Sequence, residues 1–189
     1  MIKLKNILNG IQYKAHKNIS GVTVKRVTND SRKVERGDLF LALSGYSVDG
    51  YKFIDEAVKR GARVIISEKD FAAKDNVIKV LVKDARSAAP LIAANFYRNP
   101  SKKLKIVGVT GSNGKTTLTY IIENILKAAK TPTGVIGTIN YRIRQRRMPA
   151  QNTTPGPFEL QALFGKMLKR GVEDVVMEVS SHSLDQGRV

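Results

Sequence analysis

Two hydrophobic periods run through this chain and divide it into short elements. In the first hundred residues Val22, Val24 and Val27 alternate with polar neighbours. Leu39-Phe40-Leu41-Ala42-Leu43, Val64-Ile65-Ile66 and Val77-Ile78-Lys79-Val80-Leu81-Val82 are apolar runs of strand length. Leu4, Ile7 and Leu8 point to a short helix, and Phe53, Ile54, Ala57 and Val58 to another that stops at Gly61, a residue suited to a left-handed cap. Asp84 is placed to cap a third helix reaching Tyr97, which Pro90 should kink or effectively start. Asn99-Pro100-Ser101 then breaks the pattern, and a boundary there divides the chain into domains 1–100 and 101–189.

The second half repeats a strand-helix alternation. Leu104, Ile106, Val107 and Val109 form an apolar strand, followed by the turn Gly111-Ser112-Asn113-Gly114. Next comes a helix with Leu118, Ile121, Ile122, Ile125 and Leu126 at helical spacing. A strand over 133–139 contains Gly134 and Gly137, and a helix over 157–170 has Pro157 in its first turn and Gly171 at its end. Val175 to Val179 is a buried strand that delivers the polar run Ser180-Ser181-His182-Ser183. This order predicts an α/β fold with a parallel sheet in the second domain.

Cysteine is absent, which excludes disulfides and thiolate metal sites and makes a reducing cytoplasm the natural compartment. Lysine alternates with apolar residues over the first eleven positions, so there is no signal-peptide core, and no apolar run has membrane-spanning length. The 33 basic against 16 acidic residues raise the question of nucleic acid. The positives are scattered, however, and the aromatic residues form no stacking series. The densest cluster, Arg142-Ile143-Arg144-Gln145-Arg146-Arg147, reads as an exposed loop or hairpin, and the balance favours a solvated basic surface. His16, among Lys14, Lys17 and Asn18, reads as a surface residue.

The chemistry concentrates at Gly111 to Thr117. A strand, a glycine turn, Lys115-Thr116-Thr117 and a helix make an arrangement that holds nucleotide phosphates. Glycines admit close approach, helix N-terminal amides face anionic oxygens, and Lys115 adds charge. Thr116 is placed to offer its hydroxyl to a magnesium ion. Val109 stands where the usual P-loop formula has its first glycine, so the loop is a variant that begins at Gly111. Ligands of parallel sheets bind beyond the strand carboxyl ends, where three polar clusters fall: this loop, Asn152-Thr153-Thr154, and 178–188. Glu178 ends an apolar strand and needs a partner, either a magnesium ion shared with Thr116 or a nearby lysine or arginine. The loop 44–50 reads equally as a binding loop or as a turn stabilised by its own Asp and Ser.

Gly108 to Thr117, Asn152-Thr153-Thr154-Pro155 and Met177 to His182 resemble the Mur ligases, the ATP-dependent amide-forming enzymes of peptidoglycan synthesis. Asp30-Ser31-Arg32-Lys33, Gly37-Asp38-Leu39-Phe40 and Asp49-Gly50 resemble the member that adds a diamino acid to UDP-N-acetylmuramoyl-L-alanyl-D-glutamate. The resemblance implies an N-terminal α/β UDP-binding domain followed by a truncated P-loop parallel-sheet ATPase domain. Asn29, Ser31, Tyr46, Ser47 and Val48 match positions at the UDP end of that substrate. Gly111, Ser112, Asn113, Gly114, Lys115, Thr116 and Thr117 match the ATP site, with Lys115 and Glu178 in catalytic roles. Asn152, Thr153, Thr154, Ser180, Gln186 and Arg188 match contacts to the UDP-muramoyl-dipeptide, and Thr116 and Glu178 match ligands of Mg2+.

The implied chemistry is attack of the D-glutamate carboxylate on the γ-phosphate of ATP, after which the amine displaces phosphate from the acyl-phosphate. The family's carbamylated lysine, a later histidine, the rest of the central sheet and the C-terminal domain that selects the amino acid have no counterpart before Val189. A fragment or a truncated relative is therefore expected, with an unpaired sheet edge, exposed apolar helix faces and little turnover by itself. The sequence leaves meso-diaminopimelate and L-lysine open as the amine. A catalytically silent UDP-sugar and nucleotide-binding module is the alternative. The folylpolyglutamate synthetases share a similar loop but do not account for Asp30-Ser31-Arg32 or the Ser-Ser-His cluster.

Overall fold

A computed structural model of the chain describes residues 1–44 and 49–189. It divides into two compact units, Met1–Phe96 and Tyr97–Val189. The first unit opens with β1 (Ile2–Lys3), α1 (Leu4–Ile7), β2 (Tyr13–Ala15), β3 (Thr23–Val24) and β4 (Val27–Thr28). It continues with β5 (Leu39–Leu41), α2 (Ile54–Lys59), β6 (Val64–Ser67), β7 (Ile78–Val82) and α3 (Ala85–Phe96). Its main sheet has the order β2-β7-β6-β5-β4, parallel from β4 to β7 and closed by antiparallel β2. Phe40, Ile54, Ala57, Ile65 and Val77 form part of a core between α2 and the sheet.

The local chemistry follows the sequence closely. Asp84 caps α3 through the Ser87 N–H at 3.0 Å, and the Ser87 hydroxyl donates to its other oxygen at 2.7 Å. These bonds hold the Asp84 carboxyl below its ordinary range. Gly61 adopts φ +97° just past α2, so the left-handed stop falls where it was expected. Pro90 neither starts nor ends α3, which runs on from Ala85. It is only the sixth residue of the helix, so its missing N–H forfeits a single early bond, to the Arg86 carbonyl.

The second unit contains β8 (Lys105–Val109), α4 (Lys115–Ala128), β9 (Thr133–Ile136), β10 (Asn140–Ile143), β11 (Arg146–Pro149), α5 (Pro157–Lys169), β12 (Asp174–Glu178) and α6 (Ser181–Asp185). Its sheet order is β11-β10-β9-β12-β8. β12 lies parallel to both β8 and β9, as expected, while β9-β10-β11 is an antiparallel meander whose β10-β11 arm is the hairpin alternative for the basic run. Ile136, Leu160, Phe164, Met167, Val175 and Met177 belong to the core between α5 and one sheet face. A Cβ on Gly134 would meet the Met167 sulfur at 2.8 Å, so this glycine lets α5 pack directly on β9.

α4 forms where its spacing predicts, and its apolar stripe is one of the exposed helix faces expected from the sequence. Its buried residues are Thr119 and Glu123, while Leu118, Ile121 and Ile125 are exposed by half or nearly so, Ile125 at 63%. Ile106 and Val107 of β8, the sheet's edge strand, are exposed as well. Glu123 is buried because Arg142 from β10 meets it, Nε to Oε1 at 3.0 Å with a second bond between Nη2 and Oε2. Lys127 adds a bond at 2.9 Å, and the guanidinium lies 4.3 Å from the Tyr120 ring centroid. The basic run is therefore a hairpin, and Arg142, expected in solvent, is 5% exposed within it.

Two stability measurements follow. Glu123→Leu strands the buried Arg142 charge and should cost about 3 kcal/mol in urea unfolding, with most of it recovered in the Glu123→Leu/Arg142→Met double variant. Asp84→Ala should cost about 1 kcal/mol near pH 7. A carboxylate whose folded pKa is depressed stabilises above its unfolded value of 3.8, and that contribution fades as pH falls through the folded value. The Asp84→Ala deficit should therefore shrink in acid, while Asp84→Asn keeps most of the cap without the pH dependence.

Candidate functional site

The carboxyl ends of β8, β9 and β12 meet at one place. The parallel register sets Glu178 beside Val109 and Met177 beside Ile136, so the segments leaving the three strands are neighbours. From β8 the chain enters the glycine turn, where Gly111 has φ +142° and Gly114 φ +76°, both in the region that favours glycine. Gly114 is the N-cap of α4, and the first intrahelical bond is Leu118 N–H to the Gly114 carbonyl at 2.9 Å. The amides of Lys115, Thr116 and Thr117 precede that bond and lie at the positive end of a 14-residue helix. Lys115 folds back over the turn, its Nζ 2.7 Å from the Gly111 carbonyl oxygen and 3.4 Å from that of Ser112. A helix N-terminus, a glycine turn and an overhanging ammonium together suit an anion.

Glu178 faces this turn. It is 2% exposed, and three donors hold it. Oε2 accepts the Thr116 hydroxyl and the Thr138 hydroxyl, each at 3.0 Å, and Oε1 accepts the Thr138 N–H at 3.0 Å. A Cβ on Gly137 would lie 2.3 Å from Oε1, so glycine is what lets the carboxylate rest against that backbone. All three donors are neutral, and among the described residues no lysine or arginine pairs with Glu178. A buried carboxylate without a counter-charge is a place for a cation. The donor set, one carboxylate and the Thr116 hydroxyl, is hard oxygen, which suits magnesium. No cluster of three or more His, Cys, Asp or Glu side chains exists among the described residues. A cation here would thus take most of its ligands from water and phosphate, as magnesium does.

The cleft between these groups measures about 400 Å³, and its lining runs from Ser112 to Thr117 and includes Thr138, Thr153, Glu178 and Ser180. The structure thus unites the loop with Thr153 and Ser180, but Asn152, Thr154, Gln186 and Arg188 are not in that lining. Thr154 is 2% exposed, its hydroxyl donating to the Glu178 carbonyl at 2.8 Å and accepting the Ser180 N–H at 3.1 Å. Arg188 is held by the Gln186 side-chain oxygen and by the Thr154 carbonyl at 3.3 Å. Asn152 is exposed, and its backbone carbonyl accepts the Tyr141 hydroxyl at 2.7 Å. Burial pushes the Tyr141 hydroxyl above its ordinary pKa.

Comparison with known proteins matches residues 109–189 to the Mur ligase middle domain and residues 23–97 to the Mur ligase family catalytic domain. The chain belongs to the Mur ligase family. It is 43% identical over 186 residues to UDP-N-acetylmuramoyl-L-alanyl-D-glutamate--2,6-diaminopimelate ligase of Clostridium perfringens, covering 98% of this chain and 38% of that protein. It is 46% identical over 185 residues to the enzyme of the same name from Fusobacterium nucleatum, with 97% and 38% covered. A solved diaminopimelate ligase superposes with TM-score 0.81 at 28% identity, covering 99% of this chain and 37% of that one. The MurF ligase of Thermotoga maritima in complex with ADP superposes with TM-score 0.54 at 28% identity, covering 85% and 33%. The chain thus spans under two-fifths of the length of these curated relatives.

In this Mur ligase chain the first unit carries Asn29 in an exposed position, while Ser31 is buried and donates to Glu56 Oε2 at 2.7 Å. That bond is the main reason the Glu56 carboxyl lies below its ordinary range. Tyr46, Ser47 and Val48 lie outside the described residues. The sequence reading missed Thr138, which touches both Glu178 and Thr153. The signal available was Gly137 just before it, at the carboxyl end of a strand in a parallel sheet. Thr154→Val should leave the Ser180 amide without its side-chain acceptor and cost about 1–3 kcal/mol in chemical denaturation.

Proposed function

We propose that this chain is the nucleotide-holding and UDP-substrate-holding portion of a ligase that joins a diamino acid to UDP-N-acetylmuramoyl-L-alanyl-D-glutamate. The observation that carries the reading is Glu178, buried and without a cationic partner among the described residues, 3.0 Å from the Thr116 hydroxyl at the mouth of the glycine turn. The amides of the turn and of the first turn of α4 would hold the phosphates of ATP, and Lys115 would leave its loop carbonyls to reach them. Thr116 and Glu178 would hold Mg2+, which supplies charge neutralisation for the phosphoryl group when bound. These residues bind and orient the phosphates, which is most of what phosphoryl transfer asks of a protein.

Thr153 and Ser180, on the same cleft, would meet the muramoyl-dipeptide, with Thr154, Gln186 and Arg188 fixing the loops that carry them. Asn152 is assigned to the same substrate. Asn29, Ser31 and the loop with Tyr46, Ser47 and Val48 are assigned to the uridine end. The amine is assigned as 2,6-diaminopimelate, the compound in the names of the relatives above. No helix among the described residues is long and apolar enough to cross a membrane, and a cytoplasmic setting fits this substrate pair. Lys115 is the only basic residue among those lining the cleft, so the overall positive charge is not gathered into a nucleic-acid groove there.

Calorimetric titration of the chain with ADP and Mg2+ tests the reading. Binding that weakens roughly 30- to 150-fold in Lys115→Met, the equivalent of about 2–3 kcal/mol for a lost charged hydrogen bond, supports it. Absence of nucleotide binding, or equal binding by the variant, overturns it. For the whole reaction, a Mur ligase extended past Val189 should release ADP only when both UDP-muramoyl-dipeptide and the diamino acid are present.

A further inference from the structure

We propose that Thr138 is a positioning residue that links the metal carboxylate to the acyl-substrate side of the cleft, fixing which way the hydroxyl of Thr153 points. The inference rests on the reading of the glycine turn as a magnesium-nucleotide site. Thr138 makes three contacts at once: its N–H to Glu178 Oε1, its Oγ1 to Glu178 Oε2, and its Oγ1 to Thr153 Oγ1, each at 3.0 Å. A hydroxyl has one proton to give. Glu178 is an acceptor in all three of its bonds, so the Thr138 proton is committed to Oε2. The contact with Thr153 must then run the other way, with Thr153 donating to Thr138. Thr153 consequently turns only lone pairs toward the cleft, and it suits a substrate N–H or O–H rather than a phosphate or carboxylate oxygen.

The backbone makes this arrangement specific. Gly137 lets Glu178 lie against the β9 end, so that both carboxylate oxygens reach Thr138. Thr116, the other hydroxyl on Oε2, would turn to a cation when one binds, leaving Thr138 to hold the carboxylate in place. Loss of the Thr138 hydroxyl should therefore weaken the magnesium-dependent part of nucleotide binding and spare the part that depends on the loop amides.

The test is calorimetric titration with ADP, in Mg2+ and in EDTA, for the wild-type chain, Thr138→Val and Thr138→Ser. All three keep the Thr138 N–H, and only valine lacks the hydroxyl. The expected result is a magnesium enhancement of ADP affinity reduced about tenfold in Thr138→Val and restored in Thr138→Ser, with EDTA affinities equal among the three. Unchanged enhancement in Thr138→Val, or equal losses with and without Mg2+, overturns the role of Thr138 while leaving the nucleotide reading standing. Failure of the wild-type chain to bind ADP under either condition overturns that reading and this inference together. Thermal melts accompany the titrations, and Thr138→Ala replaces the valine variant should valine fail to fold.

Discussion

A carboxylate buried without a cation is the constraint around which the second unit is arranged. Moving such a group out of water is costly, and neutral hydrogen bonds offset only part of the cost. The same unit shows the ordinary solution on α4. Glu123, 3% exposed, receives Arg142 and Lys127. Glu178, 2% exposed, receives two threonine hydroxyls and an amide. A chain with 33 lysines and arginines has thus neutralised Glu123 with cations and left Glu178 to neutral donors. Glu178 sits where the strand ends open into the cleft, while Glu123 faces the β10 hairpin. The difference is one of position, and the position is that of the candidate site.

The overall charge of +17 has a separate role from recognition. Spread over the surface, it gives a long-range attraction for anions that salt would screen. Inside the cleft, Lys115 and Glu178 are the only charged residues of the lining, and they oppose each other. At the proposed nucleotide site, phosphate selectivity would depend on oriented amides and on the reach of one ammonium, not on a field of positive charge.

Where local rules determine an element, the sequence was a good guide. Asp84 capped its helix, Gly61 and Gly171 took positive φ at helix ends, and the glycine turn formed between β8 and α4. Rules of spacing alone say less. Leu118, Ile121 and Ile125 share a helical stripe, yet the face that turns to the sheet carries Thr119 and Glu123. Periodicity identifies a stripe but not which neighbour it meets, and Arg142, the partner that makes Glu123 tolerable in the core, lies nineteen residues away on a hairpin. Thr138 was hidden for a similar reason. Its importance comes from three contacts with Glu178 and Thr153, none of which is local in sequence.

The exposed stripe on α4 and the open edge of β8 raise the question whether the site waits on whatever covers them. The hydrogen bonds argue otherwise. Each donor to Glu178, each residue of the glycine turn and the threonine that joins them to Thr153 belongs to the second unit. The strands that deliver them, β8, β12 and β9, are consecutive in the sheet and fully paired with each other. α5 completes the core on one face, and α4 is tied to the β10 hairpin by the Glu123–Arg142 pair on the other. The geometry that would hold a nucleotide is therefore set by pairing within the unit. Contacts to Leu118, Ile121 or Ile125 would add stability to α4 without being needed to bring Thr116 to Glu178.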